Sequence, residues 1–370
     1  MIPRGMKLKK VDEISKWLKD RDIDAAFITS TENVLYLTGF PCKPHERLLA
    51  VFIFPNQDPI LIVPQLDVED ALQSTWKYEV MGISDTENPW EKIREKVNKR
   101  FITIHTLAIE KDHLVYNRMT GLDEVFSISA YISAEEKIWS MRMIKSQEEV
   151  MKMREAARGA DFAIEIGVKE IAVGKSEMEI LAAIEFKLKK EGISKMSFDT
   201  MVLTGVNGAS PHGVSGSTKV QTGDFVMFDL GVNIDGYCSD ITRTVAFGEP
   251  SEQQKKIYNT VLQAQMAACK TVGPGKTCAE IDLTARNIIS DAGFGEFFPH
   301  RLGHGLGLSV HEFPSVTSVN QLVLKEGMAF TIEPGIYVPG IAGVRIEDDV
   351  IVTAESVEIL TQYPKELMII

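Results

Sequence analysis

A chain of 370 residues exceeds what one hydrophobic core usually organises, so two domains are expected. With 40 Lys and Arg against 52 Asp and Glu the formal charge is −12, which leaves no basic face for a phosphate backbone and excludes nucleic acid as a partner. The longest apolar runs, such as 48–54, are strand-length and far short of a membrane span, so no membrane partner is expected either.

The N-terminal residues carry no apolar signal core, and the four cysteines (Cys42, Cys238, Cys269, Cys278) show neither a C-x-x-C spacing nor disulfide-rich density. Reduced thiols and a cytoplasmic location are the simplest reading. Met6 is a second candidate start, with residues 1–5 non-native.

Along the first 130 residues, amphipathic helices alternate with short Val/Ile/Phe-rich runs. Val11, Ile14 and Leu18 share one helical face ahead of Ala25-Ala26-Phe27-Ile28, an α/β pattern. Two apolar runs, 48–54 and 60–63, flank Pro55-Asn56-Gln57-Asp58-Pro59, a strong turn signal. His45, His105 and His113 are isolated and carry no site. The pattern breaks over 133–143, and a long helix is expected from the capping box Ser146-Gln147-Glu148-Glu149. These signals place an N-terminal α/β domain over 6–135 and a second domain over 141–366.

The second domain contains an internal repeat. Gly174-Lys175-Ser176-Glu177-Met178-Glu179-Ile180 matches Gly275-Lys276-Thr277-Cys278-Ala279-Glu280-Ile281, 101 residues later, each opening a helix through a Ser/Thr-x-x-Glu box. Gly192 and Gly293 close those helices at the same offset. Gly223, Asp229 and Gly231 recur as Gly327, Glu333 and Gly335, 104 residues on. Each half reads as helix, helix, hairpin, and two halves about a pseudo-two-fold axis would bring their hairpins face to face.

Those hairpins carry paired acids. Asp229 and Asp240 are equidistant from a turn at Asn233-Ile234-Asp235-Gly236, and Glu333 and Glu347 from a turn over 339–343, so each pair is expected to face across its hairpin. Facing side chains on one sheet face have Cβ atoms ~5 Å apart, where like charges destabilise. At an effective dielectric of about 20 the repulsion is on the order of 3 kcal/mol per pair, a large share of a domain's net stability. Solvated hairpin ends would relieve it, but Phe228, Leu230, Ile332 and Ile346 flank the acids and argue for burial. Divalent cations relieve it most directly. Four of the seven histidines fall between 212 and 311, and in Gly303-His304-Gly305 the glycines allow close backbone approach and leave the imidazole free as a nitrogen ligand.

The run His300-Arg301-Leu302-Gly303-His304-Gly305-Leu306-Gly307-Leu308-Ser309-Val310-His311-Glu312 resembles the proline-peptidase signature of the pita-bread metallopeptidases (family M24), the group holding methionine aminopeptidase, aminopeptidase P and prolidase. Asn33-Val34-Leu35-Tyr36-Leu37-Thr38-Gly39-Phe40 is similar to the creatinase-like domain that precedes the catalytic domain in the proline-specific branch. The resemblance implies an α/β creatinase-like domain followed by an α+β pita-bread domain. It also implies two divalent metal ions (manganese, cobalt or zinc) on Asp229, Asp240, His304, Glu333 and Glu347. Asp240 and Glu347 would bridge them, with a shared water activated as hydroxide, Glu333 managing its proton and His311 donating to the oxyanion. His212 would contact the substrate near its proline. Arg345, two residues from Glu347 on the same strand face, would anchor the substrate carboxylate or form a structural ion pair.

An Xaa-Pro bond lacks the amide hydrogen that many peptidases grip, and a metal-centred site does without it. The expected substrate is therefore a small peptide with proline in second position. The short gap from Glu333 to Glu347 resembles prolidase more than aminopeptidase P, so an Xaa-Pro dipeptidase is expected, with a homodimer implied. Release of the N-terminal residue from longer Xaa-Pro peptides, a non-catalytic binding protein of the same fold, and a metal-free hydrolase of the creatinase kind are the alternatives.

Overall fold

The computed structural model describes residues 4–211 and 213–370. The chain divides into two compact units, 1–141 and 142–370. No helix among the described residues is long and apolar enough to cross a membrane.

The first unit is a mixed six-stranded sheet with helices. Its strands are β1 (Ala25–Ile28), β2 (Ala50–Ile53), β3 (Ile60–Pro64), β4 (Glu79–Ile83), β5 (Thr106–Ile109) and β6 (Ala130–Ser133), in the order β4-β3-β2-β1-β5-β6. The helices are α1 (Arg4–Asp20), α2 (Thr31–Thr38), α3 (Val68–Gln73), α4 (Pro89–Lys99) and α5 (Tyr116–Val125). Val11, Ile14 and Leu18 are buried as the 3.6 period requires, and β2 and β3 are the antiparallel pair flanking the 55–59 turn. Glu110, buried just after β5, accepts N–H bonds from Thr29 (2.5 Å) and Ser30 (2.8 Å) and so fixes the start of α2. The region where the sequence pattern breaks is in fact ordered. Residues 130–133 form the edge strand β6, and Glu135–Met143 form α6, which runs across the division between the units.

The second unit is built twice over. Its first half has α7 (Gln147–Glu170) and α8 (Glu177–Lys190), then β7 (Met201–Thr204), β8 (Asp224–Leu230), the short β9 (Asn233–Ile234) and β10 (Tyr237–Cys238), and β11 (Ile241–Phe247). Its second half has α9 (Glu252–Thr271) and α10 (Cys278–Asp291). Then follow β12 (Gly303–Gly305), β13 (Glu312–Val316), β14 (Ala329–Ile332), β15 (Gly335–Val338), β16 (Ala342–Arg345), β17 (Asp348–Val352) and β18 (Val357–Ile359). The sheets run β11-β8-β7 and β13-β12-β14-β17-β18.

The repeat is visible bond by bond. All four helices open on capping boxes, at Ser146, Ser176, Ser251 and Thr277. The N–H of Gly174 donates to Val220 O (3.0 Å) as Gly275 does to Leu324 O (3.1 Å), and Val220 N–H to Lys175 O as Leu324 N–H to Lys276 O. Each half has its own core. Ala160, Ile164, Ile184 and Phe228 pack in the first, and Val261, Ile281, Phe330 and Val350 in the second.

Register determines where the acids fall. In the second hairpin every pair, from Ala329 opposite Ile351 to Val338 opposite Ala342, follows one register, which continued through the break between β14 and β15 sets Glu333 opposite Glu347. The first hairpin differs from expectation. Asp235 (φ 52°) and Gly236 (φ 90°) are both left-handed, which makes them the centre of a two-residue turn of the I′ kind, where four turn residues are expected from the sequence. The strands consequently pair Asp229 with Thr242, and Asp240 is its diagonal neighbour on the same face.

The same shift alters the repeat. Thr242 is now the counterpart of Glu347, since each faces the acid 104 residues from the other's partner. Asp240 corresponds to Arg345, which pairs with Gly335, the counterpart of Gly231. On the neighbouring strand Leu203, one before Thr204 opposite Val226, occupies the place of His304, one before Gly305 opposite Phe330.

Candidate metal centre and active site

One cavity of about 770 Å³ in the second unit collects Asp229, Asp240, His304, His311, Glu333, Arg345 and Glu347 in its lining. His212 lies outside the described residues. Three of these side chains, Asp240, His304 and Glu347, each place one donor atom within 4.8 Å of the others. His304 Nε2 is 3.3 Å from Glu333 Oε1 and 3.6 Å from Asp240 Oδ2.

The imidazole of His304 is set by its neighbours. Its Nδ1 lies 3.1 Å from Gly305 O, so that nitrogen carries the proton and Nε2 presents a lone pair to the acids. Burial, followed by the nearby His311, pushes the His304 pKa down to about 3, which keeps the ring neutral at pH 7, as a metal ligand must be. The flanking glycines have a steric reason. A Cβ on Gly303 would sit 1.9 Å from Thr331 O, and one on Gly305 2.1 Å from Phe313 O. Gly303→Ala therefore forces β12 away from β14. We expect a loss of roughly 3 kcal/mol or more, read as a lowered denaturant midpoint, together with weaker metal uptake.

The acids are held as a strained group. Burial first, then repulsion from Glu347 and Asp229, lifts the Asp240 carboxyl well above its ordinary range. Glu347 is raised likewise by burial and then by Glu333 and Asp229. Burial pushes Glu333 up to about 7. Hydroxyls orient them: Thr242 Oγ1 donates to Glu347 Oε2 (2.7 Å), and Thr331 Oγ1 donates to Glu333 Oε1 (3.1 Å) while accepting His304 N–H (3.1 Å). Asp240 N–H is accepted by Asp349 Oδ2 at 3.0 Å.

Arg345 is the one cation inside this group among the described residues. Its guanidinium pairs with Asp229, donates to Tyr337 Oη (2.7 Å) and to Thr242 Oγ1 (3.0 Å), and is buried. Of the two roles left open from the sequence, the geometry contains the ion pair. Three of its five N–H donors are engaged in this way. Four acids against Arg345, with Arg301 in the same cavity lining but paired to none of them, still leave a deficit of positive charge, and carboxylates with a neutral imidazole are the donor set that divalent first-row ions accept. The residues fit a divalent metal.

Several neighbours escaped sequence reading. Thr242 and Thr331 each stand two residues from an acid, as Asp240-Ile241-Thr242 and Thr331-Ile332-Glu333, and the period of two that puts them on the acids' face was the available signal. His300 also lines the cavity, its Nε2 3.1 Å from Tyr337 Oη. Arg301 lines it too, bonded only to Ser315 Oγ (3.3 Å) and paired with no carboxylate among the described residues.

Comparison with known proteins agrees with this architecture. Residues 151–354 match the model of metallopeptidase family M24, and residues 10–144 match the creatinase/prolidase N-terminal domain. The putative dipeptidase YkvY of Bacillus subtilis (strain 168) is 50% identical over 98% of this chain and 100% of its own. Among solved structures, the Xaa-Pro dipeptidase from Bacillus anthracis superposes with a TM-score of 0.92 at 36% identity, covering 98% of this chain and 100% of that one. The X-Pro aminopeptidase from Thermotoga maritima MSB8 follows at 0.86 and 33%, covering 95% and 99%. The duplicated helix pairs, the acid-bearing hairpins and these full-length likenesses have one common explanation: the chain belongs to metallopeptidase family M24, a pita-bread catalytic domain preceded in sequence by a creatinase-type domain.

Proposed function

We propose that this enzyme hydrolyses the Xaa-Pro bond of dipeptides, using two divalent cations held by Asp229, Asp240, His304, Glu333 and Glu347. Manganese, cobalt and zinc each suit these donors. We further propose a cytoplasmic homodimer as the working form. When bound, the cations supply Lewis-acid activation of water and polarise the scissile carbonyl.

The protein's own groups account for the rest. Thr331 occupies Glu333 Oε1, leaving Oε2 to take a proton from water and return it to the proline nitrogen, which has no hydrogen of its own. His311, exposed and edge-on to His304 at 4.1 Å between ring centroids, has its pKa lowered by the desolvation its neighbours impose and then by Arg301. It is neutral at pH 7 and offers an N–H to the carbonyl oxygen as charge develops there. Arg345 holds Asp229 and, through Thr242, the orientation of Glu347.

The observation that carries the dipeptide reading is Arg301, a cation with no acid partner lining an acid-rich cavity. A dipeptide brings its carboxylate within two bonds of the proline ring, and an unspent guanidinium is the group that recognises it. Likeness to an X-Pro aminopeptidase keeps a second reading in view, release of the N-terminal residue from longer peptides. The two separate in an assay of metal-loaded enzyme on Gly-Pro and Gly-Pro-Ala. We expect cleavage of the dipeptide and slow cleavage of the tripeptide; attack on the tripeptide alone transfers the assignment to the aminopeptidase. Arg301→Ala should raise KM for the dipeptide by roughly 10- to 100-fold, the worth of one charged hydrogen-bonding contact.

A further inference from the structure

We propose that Glu177 is a positioning residue that holds the substrate-facing wall of the cavity, and thereby its selectivity for short peptides. The inference rests on the peptidase reading above. Glu177 opens α8, and its counterpart in the repeat, Cys278, opens α10. Their backbones are equivalent: Glu177 N–H donates to Thr218 O at 3.0 Å and Cys278 N–H to Leu322 O at 3.1 Å. Their side chains are not. Glu177 is 0% exposed, yet no lysine or arginine pairs with it among the described residues. A buried carboxylate without a counter-ion is costly unless several donors satisfy it.

Every donor that satisfies Glu177 comes from one stretch of chain. Thr204 N–H reaches Oε1 (2.8 Å), Gly216 N–H reaches Oε2 (2.9 Å), and Asn207 Nδ2 reaches both (2.9 and 3.0 Å). Between these anchors run Pro211, Gly213, Val214 and Ser215, all in the cavity lining. Val214 is 82% exposed, an apolar side chain at the cavity wall that a bound peptide would cover. One half of a duplicated fold has thus acquired a buried carboxylate whose bonding is confined to the segment that faces the substrate, while the other half keeps a cysteine. Packing alone does not explain that difference, because Cys278 fills the equivalent buried position. The carboxylate fixes the segment's distance from the metal ligands, and that distance sets the room beyond the second residue of the substrate.

The test uses Glu177→Gln, which turns an acceptor into an NH2 facing N–H donors, and Asn207→Ala, which removes two of the bonds to the carboxylate together with Asn207's own long bond to Val214 O (3.5 Å) and leaves the carboxylate in place. Metal content and thermal midpoint are measured alongside kcat and KM for Gly-Pro and Gly-Pro-Ala. We expect both variants to keep wild-type metal content. Dipeptide KM should rise about tenfold with kcat changed less than about threefold, the tripeptide-to-dipeptide ratio of kcat/KM should rise about tenfold, and Glu177→Asp should recover part of the loss. Unchanged KM and ratio in Asn207→Ala would overturn the role of Glu177 and leave the dipeptidase reading standing. A parallel fall for both substrates that tracks thermal midpoint would overturn it as well. No cleavage of either peptide by the metal-loaded wild type would overturn both.

Discussion

Replacing Glu333 by Gln should lower kcat on an Xaa-Pro dipeptide by about 10³-fold, within the 10²- to 10⁴-fold range that positioned proton transfer contributes. The substitution keeps shape and the acceptor that Thr331 Oγ1 bonds, so β14 has no reason to move. It removes the carboxylate oxygen proposed to take the proton from water, Oε2, which Thr331 leaves unoccupied. Because Gln also removes a ligand charge, metal content must be measured on the same sample at saturating metal. Full occupancy with wild-type kcat would end the assignment of Glu333 as proton carrier, whereas full occupancy with a collapsed kcat and a KM near wild type is the signature of a loss confined to the transition state. Thr331→Val is the companion variant. It frees Oε1 without deleting the acid, and a smaller loss, about tenfold, is expected.

How much of this was legible before the structure depended on the range of each interaction. The repeat could be read because its markers are local. Capping boxes at Ser176 and Thr277 and left-handed glycines at Gly174, Gly192, Gly275 and Gly293 need only nearby residues to declare themselves. The second hairpin's register was equally open, since its turn centres the strands without ambiguity. The first hairpin's register differs by two residues from the one its sequence suggests, because Asp235 and Gly236 suffice for the turn while Asn233 and Ile234 pair as strand, and a turn centred on four residues would make Asp229 face Asp240. An even shift keeps both acids on one face, so their clustering survives it. What could not be read were the long-range bonds: Arg345 to Asp229 across 116 residues, Thr242 to Glu347 across 105, and the three donors that reach Glu177 across 27, 30 and 39. Residue 138 shows the same limit at smaller scale, since Ile138 and Met141 are buried in α6 but give too short an apolar pattern to announce a helix.

Stripping the cations should destabilise the protein at pH 7, and the size of the loss should depend on pH with a definite sign. A ligand held only by the folded state stabilises it by about 4 kcal/mol at a thousandfold excess over Kd, which for a unit of this size shifts the thermal midpoint by roughly 10 °C. In the metal-free protein, Asp240, Glu333 and Glu347 all have folded pKa values above their unfolded ones. The folded state therefore keeps protons that the unfolded chain has released. The stability these three carboxyls contribute is greatest below their unfolded values and is lost as pH rises through the folded ones; His304, lowered to about 3, acts in the opposite sense below its unfolded value of 6.5, one group against three. For Glu333, between 4.5 and about 7, that loss is on the order of 3 kcal/mol. Metal binding runs the other way, because cations and protons compete for the same oxygens, so the gap between loaded and stripped midpoints should widen from pH 5 to pH 7.

Glu347→Gln isolates the cause. It removes one of the raised carboxyls while Thr242 can still donate to the amide oxygen, and so should raise the metal-free midpoint at pH 7 and flatten its fall with pH, at the cost of activity at every metal concentration. A metal-free midpoint that climbs from pH 5 to pH 7, or a Glu347→Gln protein less stable than the stripped wild type, would mean that repulsion among these acids is not what the cations relieve.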